Sequence, residues 1–233
     1  MDLKIEIRKL YALHEATIRF DHAIKEAGQT AWTDFTPSRF IYAFFTFNSI
    51  YSFDWETSFN QKEATKWIPD EAGRVPKEDE QFKAYLKYAD SALKPNTPRI
   101  FSKELTRLLT LYGIERPIEE LQAVDLVNAT KKLKNLAQQL PGEFGRIWRG
   151  KAGLEEFFPS ACAVLKFVYE VRCNLFHGTK TTVQLLDSAQ QRRLLIYTAT
   201  LIAGNSLLFR VAEKANVGWQ NVRADFTLPA GEA

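Results

Sequence analysis

Apolar residues recur at intervals of three and four along most of the chain, and no stretch alternates strictly between apolar and polar positions. That pattern predicts helices and no strands. A first helix is expected from about Leu3 to Ala27, with Ile7, Leu10, Tyr11, Ile18 and Ala27 toward one face and Gly28 as a stop. A second opens at Thr36-Pro37, a cap followed by proline at the first helical position, and continues through FIYAFFTFNSIYSFDWETSF to about Glu63. Residues 66–78, with two prolines and a glycine, read as a loop. Shorter helices are expected at about Glu80–Ala92, Ser102–Tyr112, Ile118–Leu121 and Asp125–Leu140, punctuated by Pro95, Pro98, Pro117 and Pro141. Another runs from about Pro159 to Phe176, and a long one from about Val183 to Ala215. Residues 216–233 carry no periodicity and read as a loosely ordered tail.

Composition narrows the class. With 45% hydrophobic residues, 17 Phe and 25% charged residues among 233, the chain has enough apolar surface for one sizeable core and enough polar surface to stay in solution. One helical domain is expected over residues 1–215. The net charge of +3 and pI near 8.7 permit nucleic acid as a partner without demanding it. The two most apolar stretches, Phe40–Phe53 and Leu194–Phe209, fall short of the roughly 20 residues a membrane span needs, and the N-terminus lacks the apolar run of a signal peptide. Cys162 and Cys173 share a helix face roughly 16 Å apart, too far for a disulfide, which suits a reducing, cytoplasmic compartment.

One segment resists a bland helical reading. At 100° per residue, Ala161, Val164, Leu165, Val168, Leu175 and Phe176 form an apolar stripe, and Arg172 falls in its middle. A buried unpaired guanidinium loses several kcal/mol of hydration, so a partner is required. A carboxylate from another helix or an oligomer interface would meet that need. His177, just before Gly178, fits a helix C-terminus, where the protonated ring is favoured.

The run Val171–Gly178, VRCNLFHG, resembles the signature of the HEPN superfamily (higher eukaryotes and prokaryotes nucleotide-binding), an Arg followed after four to six residues by His. The segment Ala43–Phe53, AFFTFNSIYSF, is similar to the aromatic-rich helix of such domains, with Asn48 before an aliphatic–Tyr pair. The resemblance covers the first helix, the two motif helices and the last helix. It implies an all-α, HEPN-like helical bundle in which residues 66–150 form a helical insertion. The sequence departs from the family at Cys173, where Asn, Asp or His is usual, and at Thr179, where toxins silenced by a nucleotidyltransferase carry Tyr.

The resemblance further implies a metal-independent endoribonuclease that needs no cofactor: the RNA 2′-hydroxyl attacks, leaving a 2′,3′-cyclic phosphate and a 5′-hydroxyl. His177 would act as general acid or base, Arg172 would bind the phosphate and stabilise its developing charge, and Asn174 would orient either partner. Cys173 and Gly178 would shape the site around them, as would Asn48. Lys180, Arg146, Arg149 and Lys151 are candidate RNA contacts, the last three from a run with six Lys or Arg against one acid, Glu143, over residues 131–151. A solvated helix face is the simpler account of that run, and a phosphate-tracking patch the sharper one. Five helical steps set Arg172 and His177 about 140° apart around the axis, so one continuous helix does not aim both at one phosphate. Either the helix breaks before His177 or two chains combine their residues, and the resemblance favours a homodimer with a composite site. A toxin or phage-defence role, and with it a restraining partner protein, also follows from the resemblance alone. The alternative is a non-catalytic HEPN module that binds RNA, a nucleotide or a protein. No metal site is expected, since His14 and His22 lie two turns apart without a carboxylate cluster.

Overall fold

A computed structural model describes residues 3–27, 35–52, 96–122, 131–150, 154–176 and 187–214, with single positions at 81, 85, 86, 89 and 93. Among the described residues all regular structure is helical: α1 (Leu3–Glu26), α2 (Thr36–Tyr51), α3 (Thr97–Leu111), α4 (Pro117–Gln122), α5 (Lys131–Arg149), α6 (Leu154–Phe176) and α7 (Ser188–Lys214). The all-α class read from the sequence is the observed one.

The long C-terminal helix α7 is the hub. Every residue from Arg193 to Asn205 is buried, so it has no polar face to show solvent along that stretch. Its threonines satisfy themselves: the Thr198 and Thr200 hydroxyls donate to the Leu194 and Ile196 carbonyls, each at 2.8 Å. Asp187 starts the helix by accepting a hydrogen bond from the Gln190 amide at 2.8 Å. The helix thus begins at Ser188, and residues 183–186, which the periodicity assigned to it, lie outside the described residues.

Around α7 pack α2 and α3. In α2, Phe40, Ala43, Phe44, Phe47, Ile50 and Tyr51 are buried at helical spacing, which explains four of its six aromatics as core packing, while Tyr42 and Phe45 are exposed. Phe40 meets Tyr197, and Phe47 lies against Gly204, so numbers rise together along α2 and α7 and the two run parallel. Tyr85 braces that contact, edge-on to Phe47 and donating its hydroxyl to the Gly204 carbonyl. Helix α1 crosses α2 in the opposite sense, since Asp21 meets Arg39 while Thr17 meets Thr46. The described part of α2 ends at Tyr51; residues 53–63 lie outside it.

Helix α3 begins at Thr97 with Pro98 in its first turn, five residues before the Ser102 expected from periodicity. It stops in a Schellman turn: Gly113, at φ 66°, donates to the Thr110 carbonyl at 3.1 Å and Ile114 to that of Leu109 at 2.9 Å. Phe101, Leu105, Leu108 and Leu109 bury its inner stripe in the same core as α2 and α7. The described residues of 97–122 and 131–150, which lie within the segment read as an insertion, contribute to the common core.

Helices α5 and α6 form an antiparallel hairpin. Glu143 lies six residues before the end of α5 and Ser160 six residues after the start of α6, and the Ser160 hydroxyl donates to the Glu143 carboxylate at 2.6 Å. Two expectations fail here. Pro141 does not end α5, which runs eight residues further to Arg149, and α6 starts at Leu154 rather than Pro159. Proline inside a helix costs about 3 kcal/mol, and burial of Leu140, Phe144 and Ile147 on the inner face of α5 opposes that cost. No helix among the described residues is long and apolar enough to cross a membrane.

Candidate functional site

The last two turns of α6 carry the Arg–His segment. Its buried stripe runs through Phe157, Ala161, Val164, Phe167, Val168 and Val171. Arg172 is half-buried at the margin of that stripe, not at its centre as the helical wheel suggested. The guanidinium carbon lies 5.2 Å from the centroid of the Phe44 ring, and Nη1 is 3.9 Å from the sulfur of Cys173. A cation held over an aromatic face gains about 0.5–2 kcal/mol. Tyr169, one turn earlier, meets the same ring at 6.2 Å, so Phe44 ties the end of α6 to α2. These are the two segments that carry the sequence resemblance.

Asn48 lies one turn beyond Phe44, half-buried, and accepts a hydrogen bond from the Tyr51 hydroxyl within α2. Cys173 is half-buried, and both it and Cys162 are free thiols. Asn174 belongs to the last turn of α6, but its side chain lies outside the described residues, as do His177, Gly178, Thr179, Lys180 and Lys151. Helix α6 is described through Phe176, and the position of the possible break before His177 lies outside the described residues. Among the described residues no group of three or more His, Cys, Asp or Glu could hold a metal ion.

The basic run occupies a different place. Lys131, Lys134, Arg146 and Arg149 are exposed along α5. Arg146 donates to Glu143 at 2.8 Å. Burial pulls the Glu143 carboxyl upward, yet the Ser160 hydroxyl and the Arg146 guanidinium outweigh it and hold the group below the usual carboxylate range. Arg146 and Arg149 line a groove of about 550 Å³ between α4, α5 and α6, with Glu156 on the α6 side. Glu156 and Arg172 are sixteen residues apart on one helix, which is about 24 Å at 1.5 Å per residue. Within one chain the groove and the Arg172 end of α6 are separate places.

A second charged cluster went unnoticed in the sequence. Arg39 is fully buried, its Nε donating to Asp21 Oδ1 at 2.6 Å and its Nη2 paired with the same oxygen. Tyr112 donates its hydroxyl to that carboxylate at 3.3 Å and lays its ring 4.8 Å from the Arg39 guanidinium. Burial, then the Asp21 charge, pushes the Tyr112 phenol far above its usual range. The cluster joins α1, α2 and α3. The signal that drew attention to Arg172 would have found it: Asp21 and Arg39 both interrupt buried stripes, Leu10–His14–Thr17–Asp21–Ile24 and Arg39–Ala43–Thr46–Ile50.

His14 is buried in the first of those stripes, its ring 4.8 Å from that of Phe209. Its Nδ1 has no hydrogen-bond partner among the described residues. Burial lowers its pKa to about 4; Glu104 opposes the shift and Arg107 adds to it. It is a packing residue held neutral.

Comparison of the chain with known protein families, with curated proteins and with solved structures finds no match.

Proposed function

We propose that the chain is a HEPN-type, metal-independent endoribonuclease that works in the cytoplasm as a homodimer. The observation that carries this reading is the placement of Arg172. The half-buried residue stands in the last two turns of a core helix, with its guanidinium carbon 5.2 Å from the centroid of the Phe44 ring. A cation so held is pre-organised for an incoming phosphate and loses little side-chain entropy on binding it. RNA supplies its own nucleophile, so the protein needs only proton transfer and charge stabilisation. His177 removes the 2′-hydroxyl proton, the 2′ oxygen bonds to phosphorus, and the 5′ oxygen departs with a proton from an acid such as the imidazole of the second copy. Arg172 neutralises the charge that builds on the phosphoryl oxygens, and Asn174 orients the group. A setting in toxin or phage-defence biology, with a restraining partner protein, accords with that chemistry.

A second reading has an observation of its own. The contact of Arg172 with Phe44 also fastens α6 to α2, which is what a structural arginine in a non-catalytic RNA- or protein-binding module would do.

Incubation of purified protein with RNA in excess EDTA separates the two. Cleavage to cyclic-phosphate and 5′-hydroxyl ends, lost in Arg172→Ala and His177→Ala while both variants stay folded and dimeric, supports the nuclease. Intact RNA bound in a salt-dependent way supports the module. A strictly monomeric protein in light scattering would count against a composite site.

A further inference from the structure

Helix α1 is fastened to the bundle by a face that is half polar. Among its described side chains the buried ones are Leu10, Tyr11, His14, Thr17, Asp21 and Ile24, three apolar and three not. The polar members meet polar partners. The Thr17 and Thr46 hydroxyls lie 2.8 Å apart, and the Asp21 carboxylate accepts from Arg39 of α2 at 2.6 Å and from Tyr112 at 3.3 Å. Such pairs offset little more than the hydration lost on burial, and a buried ion pair is weak evidence for stability. The net free energy that docks α1 therefore comes mostly from its few apolar positions. An element held in this way opens at lower cost than the fold as a whole.

His14 sits in the middle of this face, its ring 4.8 Å from that of Phe209 and its Nδ1 without a hydrogen-bond partner among the described residues. Tyr11 meets the same Phe209 ring edge-on at 5.2 Å. The charged groups that reach His14 belong to α3: Glu104 favours a proton there and Arg107 opposes it. Those two are already joined, Arg107 Nη2 donating to Glu104 Oε1 at 2.7 Å, so neither is left to neutralise an imidazolium. Asp21, two turns further along α1, is engaged by Arg39 of α2 and by Tyr112, and on α7 the contact is the Phe209 ring, with Arg210 exposed beside it. A proton on His14 in the docked helix is thus a buried charge with no counter-ion, whereas in the lifted helix water solvates it. We propose that α1 is an acid-released strap: protonation of His14 lifts it from α2 and α7 as a unit, uncovering Thr46 and Phe209, while the other helices stay packed. Docking is complete above pH 6.5, weakens as pH falls toward 4 and levels off below, because the released helix carries an ordinary imidazole and the docked one a pKa of about 4. Between pH 7.5 and 5 the equilibrium moves toward the released state by about 25-fold. The strap involves neither Arg172 nor His177, so it does not rest on the nuclease reading.

Hydrogen exchange of the full chain, read peptide by peptide in mass spectrometry and corrected for the intrinsic rate at each pH, tests the strap. At pH 7.5 the amides of α1 should be at least about tenfold less protected than those of α7 between Leu194 and Ile202. By pH 5 the protection of α1 should fall by about a further 25-fold. His14→Phe removes the titrating group and should leave α1 protection level across that range. A second variant fastens the helix instead: Thr17→Cys with Thr46→Cys, at positions whose hydroxyls lie 2.8 Å apart, should close a disulfide when oxidised. Oxidised, it should raise α1 protection to that of α7; reduction should restore the difference. Equal protection of α1 and α7 in the unaltered protein at pH 7.5 would mean that α1 leaves only when everything unfolds, and would overturn the proposal. So would a pH dependence of α1 retained in full by His14→Phe, or exchange of α1 indifferent to the disulfide.

Discussion

The guanidinium of Arg172 rests 5.2 Å from the ring centroid of Phe44, a contact between residues 128 positions apart that brings the end of α6 onto the aromatic helix α2. Phe44 is 1% exposed and also meets Tyr169, so the ring is fixed and the cation is aligned against it.

Phe44→Leu keeps an apolar side chain, somewhat smaller, and removes the aromatic face. Urea unfolding should show a loss of about 1–1.5 kcal/mol, as for other shape changes in a core. If Arg172 serves RNA cleavage, the rate should fall by about fivefold, more than the stability loss accounts for at saturating protein, because the guanidinium loses about 1 kcal/mol of alignment. A rate equal to that of the unaltered protein would show that the ring does not orient Arg172 for chemistry.

The Asp21–Arg39 pair is buried on both sides, so removing one member strands the other. Asp21→Ala should cost about 3–5 kcal/mol in guanidinium chloride unfolding. The double replacement Asp21→Leu with Arg39→Met should recover much of that loss, since neither charge then remains to be desolvated. A single variant within about 0.5 kcal/mol of the parent would contradict the burial described for the pair.

His14 makes stability fall with acid. Its pKa in the fold is about 4 against an ordinary 6.5, so between those values the unfolded chain binds the extra proton. Stability from this group is complete above pH 6.5, declines as pH falls toward 4, and levels off below. The loss from pH 7 to 4.5 amounts to about 2–3 kcal/mol at 1.36 kcal/mol per pH unit. Denaturation profiles of His14→Phe over this range should be flatter by that amount; parallel profiles would mean that His14 is hydrated or paired when protonated.

Two glycines are held by space. A Cβ at Gly204 would approach the Phe47 ring at 3.1 Å, and Phe47 is itself fully buried. Gly204→Val should therefore lower stability by about 1–3 kcal/mol despite replacing a helical glycine. At Gly150, φ is +60° and a Cβ would fall 2.7 Å from the Ser102 hydroxyl, so Gly150→Ala should also destabilise, by at least about 1 kcal/mol. Melting temperatures that rise in either variant would show that the neighbours move aside.

Much of this fold was legible because helices are local. The spacing of Leu10 and Tyr11 marks a face that is buried, although Ala27, assigned to the same face, is exposed and Ile24, not assigned to it, is buried. Proline was the weak guide. Pro98 sits harmlessly in a first turn, but Pro141 sits inside α5, where long-range burial of Phe144 and Ile147 overrides the local penalty. The oddity of Arg172 was also visible, since a charge beside an apolar stripe stands out in one dimension.

What the sequence determined by itself is the helical class and which side of each helix is apolar, for these depend on intervals of three and four residues. Only the tertiary structure decided that Arg172 lies on Phe44, that Asp21 neutralises Arg39, and that the arginines of α5 line a groove about 24 Å from Arg172. Those pairings join residues far apart in the chain, and their energies exist only once separate helices pack and exclude water from the space between them.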